Sequence, residues 1–276
     1  MLYLDIDVHH CDAVAGAFYR SDAVLVVSMH MHGPGASRII MDISSLLVLA
    51  CAYACAIHLL AIGIYPGTGG SEERGAGRGA GHTLNLPLAP GLRDALFLEA
   101  FAELAGGAAA LYRPHAVVLC AGADGLAGDP LGCWSLTPAA LAQAAAKAMT
   151  WGAPLLVLGG GGYKPENAAR AWAAITAALC GDAASLAATR HDAAVPDHAQ
   201  LLSYGPSFVL WDALPAEGLR ADENQREDVL RRCEALLQAL REQYEDEEEE
   251  GAEQTELPPV ELAKPDDATK TAGHEC

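Results

Sequence analysis

The chain has 276 residues, of which 51% are hydrophobic and 19% charged, and this excludes a wholly disordered polypeptide. Its formal net charge of −19 is uneven, because 13 of the 36 acidic residues but only two of the 17 basic ones lie in residues 242–276. A body of modest charge with an acidic end is unlike a protein that binds nucleic acid directly. The eight cysteines form no CxxC pair and no signal-peptide pattern occurs before residue 30, so we expect a reducing compartment.

The first predicted elements are two strands. Residues 1–10 alternate apolar and polar side chains strictly, and residues 23–29 form a second apolar run. Strict alternation predicts a strand with one apolar face, here Leu2, Leu4, Ile6 and Val8. Residues 43–64 then form an apolar stretch of 22 residues, which is long enough to cross a bilayer.

Beyond that stretch, predicted helices and strands alternate. Strands are predicted around 83–87 and over 116–120 and 154–158, and helices over 94–112, 138–151 and 167–179. A last helix is predicted from an apolar stripe with i, i+4, i+7 spacing, formed by Val229, Leu230, Cys233, Leu236, Leu237 and Leu240. Residues 244–276 are typical of an acidic, disordered tail. The alternation predicts an α/β fold with a mainly parallel sheet flanked by helices.

Three predicted strands end in polar side chains: Asp7 with His9, Asp124, and Tyr163 after four glycines. Reactive residues of parallel sheets collect just outside the carboxyl ends of strands. The Asp-x-His spacing puts two side chains on one strand face, about 7 Å apart along the backbone. With Asp124 as a third ligand they would form a catalytic zinc site with an open position. The pattern alone leaves open a merely structural pair and a simple turn at Asp124.

The chain resembles the class I (Rpd3-type) histone deacetylases in five ordered segments, LYLDIDVHHCD, YPGTGG, VVLCAGADGLAGDPLGCWSLT, LLVLGGGGYKPENAARAW and YGPSFVL. Their wording is most similar to the stand-alone members, and the resemblance covers residues 1–31 and 65–241. It implies an arginase/deacetylase-like fold, with residues 1–243 forming a partial catalytic domain. It also implies zinc-dependent hydrolysis of the acetyl amide of N6-acetyl-lysine on histone tails.

Carried over position by position, the resemblance assigns zinc to Asp7, His9 and Asp124. Tyr163 would stabilise the oxyanion as the catalytic residue, and the substrate tunnel would be lined by Tyr65, Leu131 and Gly161. A potassium ion beside the zinc would use Asp5, Ser28 and Met29, with the carbonyls of Asp7 and His9. A second potassium would use Phe18, Ser21 and Val24.

Some positions depart from the family pattern. Cys11 and Ala13 replace two glycines, and His82 replaces a tyrosine near the second potassium site, which puts that site in doubt. Pro130 and Glu166 stand where co-repressor-bound members carry arginines that bind inositol phosphate, so we do not expect that pocket.

The family's paired histidines, which act as general base and acid, lie upstream of the Asp-x-His strand, where this chain begins. Asp5 and Asp12 match the carboxylates that orient those imidazoles. We therefore expect impaired activity, a missing amino-terminal part of the fold, and missing neighbours for the strand at 1–10.

The apolar segment at 32–64 has three interpretations: a membrane span, a buried insertion, or translated non-coding sequence in a gene model. A span would put Asp7 and His9 on one side of the bilayer and Asp124 on the other, where they could not share a metal. We therefore favour the gene-model artefact over membrane association.

The resulting hypothesis is a zinc-dependent protein lysine deacetylase of the nucleus, and also of the cytoplasm. It would be a chromatin regulator in transcription repression, acting on acetylated histone tails or other acetyl-lysine proteins. Co-repressor proteins are its expected partners, without sequence-specific nucleic-acid contact. The alternatives are a catalytically inactive deacetylase-like module that binds acetyl-lysine or chromatin proteins, and a relative acting on acetylated polyamines.

Overall fold

The structure is a computed structural model that describes residues 1–32, 64–181, 193–210 and 219–255. Residues 1–241 form one compact unit, and residues 242–276 form a second, of which the described part is helical. Nearly all of the apolar segment falls at 33–63, so the interpretations of that segment lie outside the described residues.

Five parallel strands form one sheet, in the spatial order β3–β2–β1–β4–β5. The strands are β1 (Leu2–Asp5), β2 (Leu25–Met31), β3 (Thr83–Leu88), β4 (Val117–Ala121) and β5 (Leu155–Gly159). The predicted parallel α/β sheet is therefore confirmed, with strand bounds that differ by one or two residues for β2 to β5.

β1 is shorter than the predicted strand at 1–10. The ladder ends at Asp5 because side-chain carboxylates then accept the backbone N–H groups that a strand would pair. The N–H of Asp7 donates to Oδ1 of Asp5 (3.0 Å), and the N–H of His9 donates to Oδ1 of Asp7 (2.9 Å). Local carboxylate–backbone hydrogen bonds of this kind compete with sheet pairing. The apolar alternation still decides burial, since Leu2, Leu4, Ile6 and Val8 are all buried.

The expectation that strands beside residues 1–10 are missing is wrong. β1 lies in the centre of the sheet, paired with β2 on one side and β4 on the other. The pattern of a single strand carries no information about its neighbours, because any buried strand is apolar whichever strand it pairs with.

In the described part of the chain, five α-helices accompany the sheet: α1 (Asp12–Phe18), α2 (Asp94–Tyr112), α3 (Pro138–Met149), α4 (Pro165–Cys180) and α5 (Arg226–Thr255). α2 has the predicted bounds, whereas α1 was not predicted. The stripe of α5 is buried at Val229, Cys233, Leu236, Leu237 and Leu240, as predicted. The helix continues to Thr255, beyond residue 243, where we expected the tail to begin.

α2 is, within the described ranges, the one helix long and apolar enough to cross a membrane. Its burial gives the reason for that composition. The helix packs against β1, β2 and α3. Seven of its residues, among them Phe97, Phe101 and Leu104, are buried with a spacing that follows one helix face. α2 is therefore a core helix, buried against the sheet and α3.

The face of the sheet that carries Tyr3 and Asp5 is covered unevenly. By register, Val26 and Ser28 of β2 lie on this face and are buried. At the β5 end of the same face, Leu156 and Leu158 are 55% and 42% exposed. Both faces of a parallel sheet are normally covered, so the free edge of β5 is an exposed apolar surface in the described residues.

Replacing Leu156 and Leu158 together with lysine is expected to reduce concentration-dependent self-association of the purified chain. The native fold should survive, because both side chains already face solvent. Light scattering coupled to size-exclusion chromatography measures the change. Leu202→Lys is the charge control, since Leu202 is 86% exposed and lies away from the sheet. Equal association of the double variant and the unchanged chain would contradict the expectation.

Candidate metal centre

The point where the strand order reverses lies between β1 and β4. The chain passes from β1 outward to β2 and β3 and then returns to the other side of β1 as β4. Ligands of open α/β sheets bind in the crevice outside the carboxyl ends of strands at such a switch point. Asp7 and His9 follow β1, and Asp124 follows β4, so all three meet there.

The three side chains form a compact cluster. One potential ligand atom from each lies within 4.8 Å of the others. The Nδ1 of His9 lies 3.0 Å from Oδ1 of Asp7 and 3.0 Å from Oδ2 of Asp124. The other carboxylate oxygens are fixed by backbone donors: the N–H of Val8 donates to Asp124 (3.0 Å), and that of Gly161 donates to Asp7 (2.6 Å). The predicted convergence of these residues is thus present in the structure.

Glycines make room for the cluster. A Cβ on Gly161 would lie 2.0 Å from Oδ2 of Asp124, and one on Gly122 would lie 2.1 Å from Oδ2 of Asp7. A Cβ on Gly160 would lie 2.8 Å from the same Asp7 oxygen. Any side chain at these positions would occupy the space of the carboxylates, so Gly160 and Gly161 of the four-glycine run leave room for the cluster.

The electrostatics of the cluster are those of a shared cation site. Burial raises the pKa of Asp124 to about 6, although its hydrogen bond with His9 opposes the rise. Burial would also raise the pKa of Asp7, but hydrogen bonds from His9 and Gly161 outweigh it and hold that pKa below its usual range. Burial would lower the pKa of His9, but Asp124 and Asp7 raise it to about 10. The proton on Nδ1 of His9 thus lies between the two carboxylates, in the space where the three side chains would bind a divalent cation.

Two tyrosines flank His9 at the mouth of the cluster. The ring of Tyr163 lies 6.4 Å from the His9 ring and that of Tyr65 lies 6.3 Å from it, both edge-on. Tyr163 is 49% exposed and Tyr65 is 63% exposed, so an incoming ligand can reach both rings. Leu131 is half-buried on the loop after β4. The structure therefore places the two predicted tyrosines beside His9.

The residues predicted for potassium lie at two other places. Asp5 and Ser28 are register partners on β1 and β2, both buried, with Met29 next along β2. Burial and the charge of Asp7 raise the pKa of Asp5 to about 7. Phe18 ends α1, and its carbonyl already accepts the N–H of Ser21 (2.9 Å); Val24 is buried just before β2.

The two carboxylates predicted to orient imidazoles, Asp12 and Asp5, accept other donors. Asp12 begins α1, where its carboxylate accepts the N–H of Ala13 (2.8 Å). Asp5 accepts the hydroxyl of Tyr3 and the N–H of Asp7. In the part of the chain that the structure describes, no imidazole donates to either carboxylate. His10 and His30 lie in the interior instead, with Nδ1 of His10 2.8 Å from the hydroxyl of Thr68. Burial lowers the pKa of both imidazoles, that of His30 to about 3.

Sequence reasoning missed two contributors to the site. Gly122 directly follows β4, and a glycine at the end of a strand is a signal for close approach. Asp129, in the AGDP segment, binds backbone amides on both sides of the site. An Asp-Pro pair signals only a turn, so its long-range contact to Tyr163 is not readable from sequence.

The donor set fits zinc. Two carboxylate oxygens and one imidazole nitrogen are within the ligand types of catalytic zinc sites, and three protein ligands leave a position open. Among the described residues, no lysine or arginine pairs with Asp7 or Asp124, whose ion-pair partner is His9. The glycine contacts show that the space around the oxygens is reserved for them.

Comparison with known proteins agrees with this geometry. The family described as "Histone deacetylase domain" matches residues 1–39 and 49–179, and the break falls inside the apolar segment. Histone deacetylase 8 of Danio rerio is 32% identical over 231 residues, covering 84% of this chain and 51% of the relative. Histone deacetylase 6 of Arabidopsis thaliana is 33% identical over 249 residues, 89% of this chain and 45% of the relative.

Type-1 histone deacetylase 1 of Dictyostelium discoideum is 37% identical over 179 residues, 65% of this chain and 30% of the relative. The chain spans between 30% and 61% of the length of these and similar curated relatives. The family match includes the cluster and both tyrosines that flank it. With a parallel sheet of the expected kind beneath that cluster, the chain belongs to the histone deacetylase family.

Proposed function

We propose that this chain carries the zinc-binding centre of a protein lysine deacetylase that hydrolyses the acetyl amide of N6-acetyl-lysine. The observation that carries the proposal is the meeting of Asp7, His9 and Asp124 at the switch point, with Tyr163 beside them. A family match alone would not place these groups together. Histones are the substrate that the relatives' names indicate.

Each residue of the proposed site has a distinct role in the reaction. Zinc, held by Asp7, His9 and Asp124, would supply Lewis-acid activation of the amide carbonyl and of water. The hydroxyl of Tyr163 would donate a hydrogen bond to the oxygen that becomes negative as the carbonyl is attacked. The exposed ring of Tyr65 would flank the lysine methylenes, with Leu131 on the tunnel wall.

We further propose that turnover by this chain is weak. Of the described histidines other than His9, none contacts Asp7 or Asp124, and the Nε2 of His30 bonds to the carbonyl of Gly69 instead. Among the described residues, no neutral imidazole thus contacts the cluster to act as a general base, a contribution worth about 10²–10⁴-fold. The same observation favours the alternative, a module that binds acetyl-lysine without hydrolysing it.

The remaining expectations are proposals that rest on the family. The facing pair of Asp5 and Ser28 supports a potassium ion, since no lysine or arginine among the described residues neutralises Asp5. Action in the nucleus on acetylated chromatin, with co-repressor partners, would follow from a histone substrate. A membrane role is not proposed.

The test is an assay of the purified, zinc-loaded chain on an acetyl-lysine histone peptide. We expect the peptide to bind, the unacetylated peptide to bind less tightly, and turnover to be low. Tyr163→Phe should cut that turnover by about 10²–10³-fold, the usual loss for one oxyanion donor, while zinc content stays unchanged.

Three outcomes of this assay are decisive. Turnover equal to that of an intact relative would refute the claim of weak activity. Peptide binding with no turnover in either variant would select the inactive binding module. Neither binding nor turnover would refute the deacetylase proposal itself.

A further inference from the structure

The loop after β4 contains a carboxylate that joins two sides of the site. Asp129 is only 8% exposed. Its Oδ1 accepts the N–H groups of Leu131 (2.8 Å) and Gly132 (3.1 Å), and its Oδ2 accepts the N–H of Tyr163 (2.7 Å). One buried side chain therefore fixes the backbone of the tunnel-wall residue and of the tyrosine that follows the glycine run.

The same loop is locked onto a proposed metal ligand. A Cβ on Gly132 would lie 1.7 Å from the carbonyl oxygen of Asp124, so the loop folds back directly over that residue. The N–H of Ala123 donates to the carbonyl of Gly161 (2.7 Å), which joins the ends of β4 and β5. The segment that carries Asp129 thus directly contacts the proposed metal ligand Asp124.

Asp129 also holds the chain where it enters α4. Tyr163 lies two residues before the first residue of α4, and the N-cap residue between them, Lys164, makes no side-chain capping bond. The Asp129 carboxylate, which belongs to another loop, therefore holds the helix entry and its tyrosine through a backbone hydrogen bond.

We propose that Asp129 is a positioning residue for the deacetylation assigned above, and this inference rests on that proposed function. Its carboxylate sets the distance of the Tyr163 phenol and the Leu131 side chain from the metal centre. It touches neither substrate nor metal, so its effect passes through the two backbone segments that it holds.

Asp129→Asn tests the inference with little change in volume. An amide keeps one acceptor oxygen but turns an NH₂ group toward the other N–H, so one side loses its anchor. We expect amide hydrogen exchange at Tyr163, or at Leu131 and Gly132, to rise at least about tenfold, since one buried hydrogen bond is lost. Turnover should fall by about 10–100-fold, because a displacement of about 1 Å costs up to that factor.

Two comparisons separate positioning from general stability. Asp94→Asn is the matched control, because Asp94 also accepts a backbone N–H, that of Thr137 (2.8 Å), outside the site. It should leave exchange at Tyr163 unchanged. In a Tyr163→Phe background, Asp129→Asn should lower the remaining turnover by less than about threefold, since residues acting as a unit are not additive.

Unchanged exchange at all three amides would overturn the inference, and so would fully additive losses in the double variant when Tyr163 is the amide whose exchange rises. The exchange measurement does not need activity. If the unchanged chain shows no turnover while Asp129→Asn loosens Tyr163, the proposed function fails and the anchoring by Asp129 stands.

Discussion

Asp124→Asn is expected to remove zinc-dependent stabilisation while leaving the fold in place. The asparagine oxygen can still accept the N–H of Val8, which Oδ1 of Asp124 does now. The second oxygen, 3.0 Å from His9, becomes an NH₂ group that cannot bind a cation. With zinc at about 1,000 times its Kd, the unchanged chain should gain about 4 kcal/mol, or about 10 °C in Tm.

Differential scanning calorimetry with and without zinc measures this effect, and the variant should shift by less than about 2 °C. Asp94→Asn serves again as the control, since it removes a half-buried carboxylate outside the cluster and should retain the full zinc shift. A normal zinc shift in Asp124→Asn would show that the metal binds elsewhere.

Gly161→Ala should damage the site through a single added methyl group. The new Cβ would lie 2.0 Å from Oδ2 of Asp124 and 3.0 Å from Oδ2 of Asp7, distances at which the carboxylates must move. They are held by backbone donors from Val8 and from Gly161 itself, so they cannot move without breaking those bonds. We expect a loss of about 1–3 kcal/mol in the free energy of unfolding, as for other overpacked sites, together with loss of zinc binding.

The control is Gly106→Ala, in the middle of α2, where an added Cβ meets nothing within 4 Å. That change should stabilise the chain by about 0.5–1 kcal/mol, because alanine is the better helix former. Urea unfolding of both variants gives the comparison. If Gly161→Ala retained both stability and zinc binding, the glycine run would not be reserving space for the cluster.

The sequence predicted those parts of the fold that depend on local pattern. α2 has its predicted bounds because its apolar residues repeat along one helix face over five turns. The ladder of β1 ended early because Asp5 and Asp7 bind backbone amides, a competition that apolar alternation does not reveal. The position of β1 between β2 and β4 depends on pairing across more than 100 residues, and no local pattern records it.

In the site, too, features that depend on local pattern were predicted and features that depend on long-range contacts were not. Asp7, His9, Asp124 and Tyr163 were predicted from their place after strands and from family resemblance, and the structure brings them together. Asp129 and Gly122 were not predicted, because their roles exist only where β4 and β5 end side by side. Contacts between distant loops depend on topology, and residue type alone does not predict them.

The separation of the cluster along the chain has a consequence for biosynthesis. Val8 and Asp124 are 116 residues apart, and Asp7 and Gly161 are 154 residues apart. At about 5–20 residues per second, a ribosome needs roughly 6–30 s to synthesise the later residue of such a pair after the earlier one. Until then Asp7 and His9 belong to a nascent chain without their partners. Metal capture would therefore mark the end of sheet assembly, and excess zinc during translation would meet only a half-formed site.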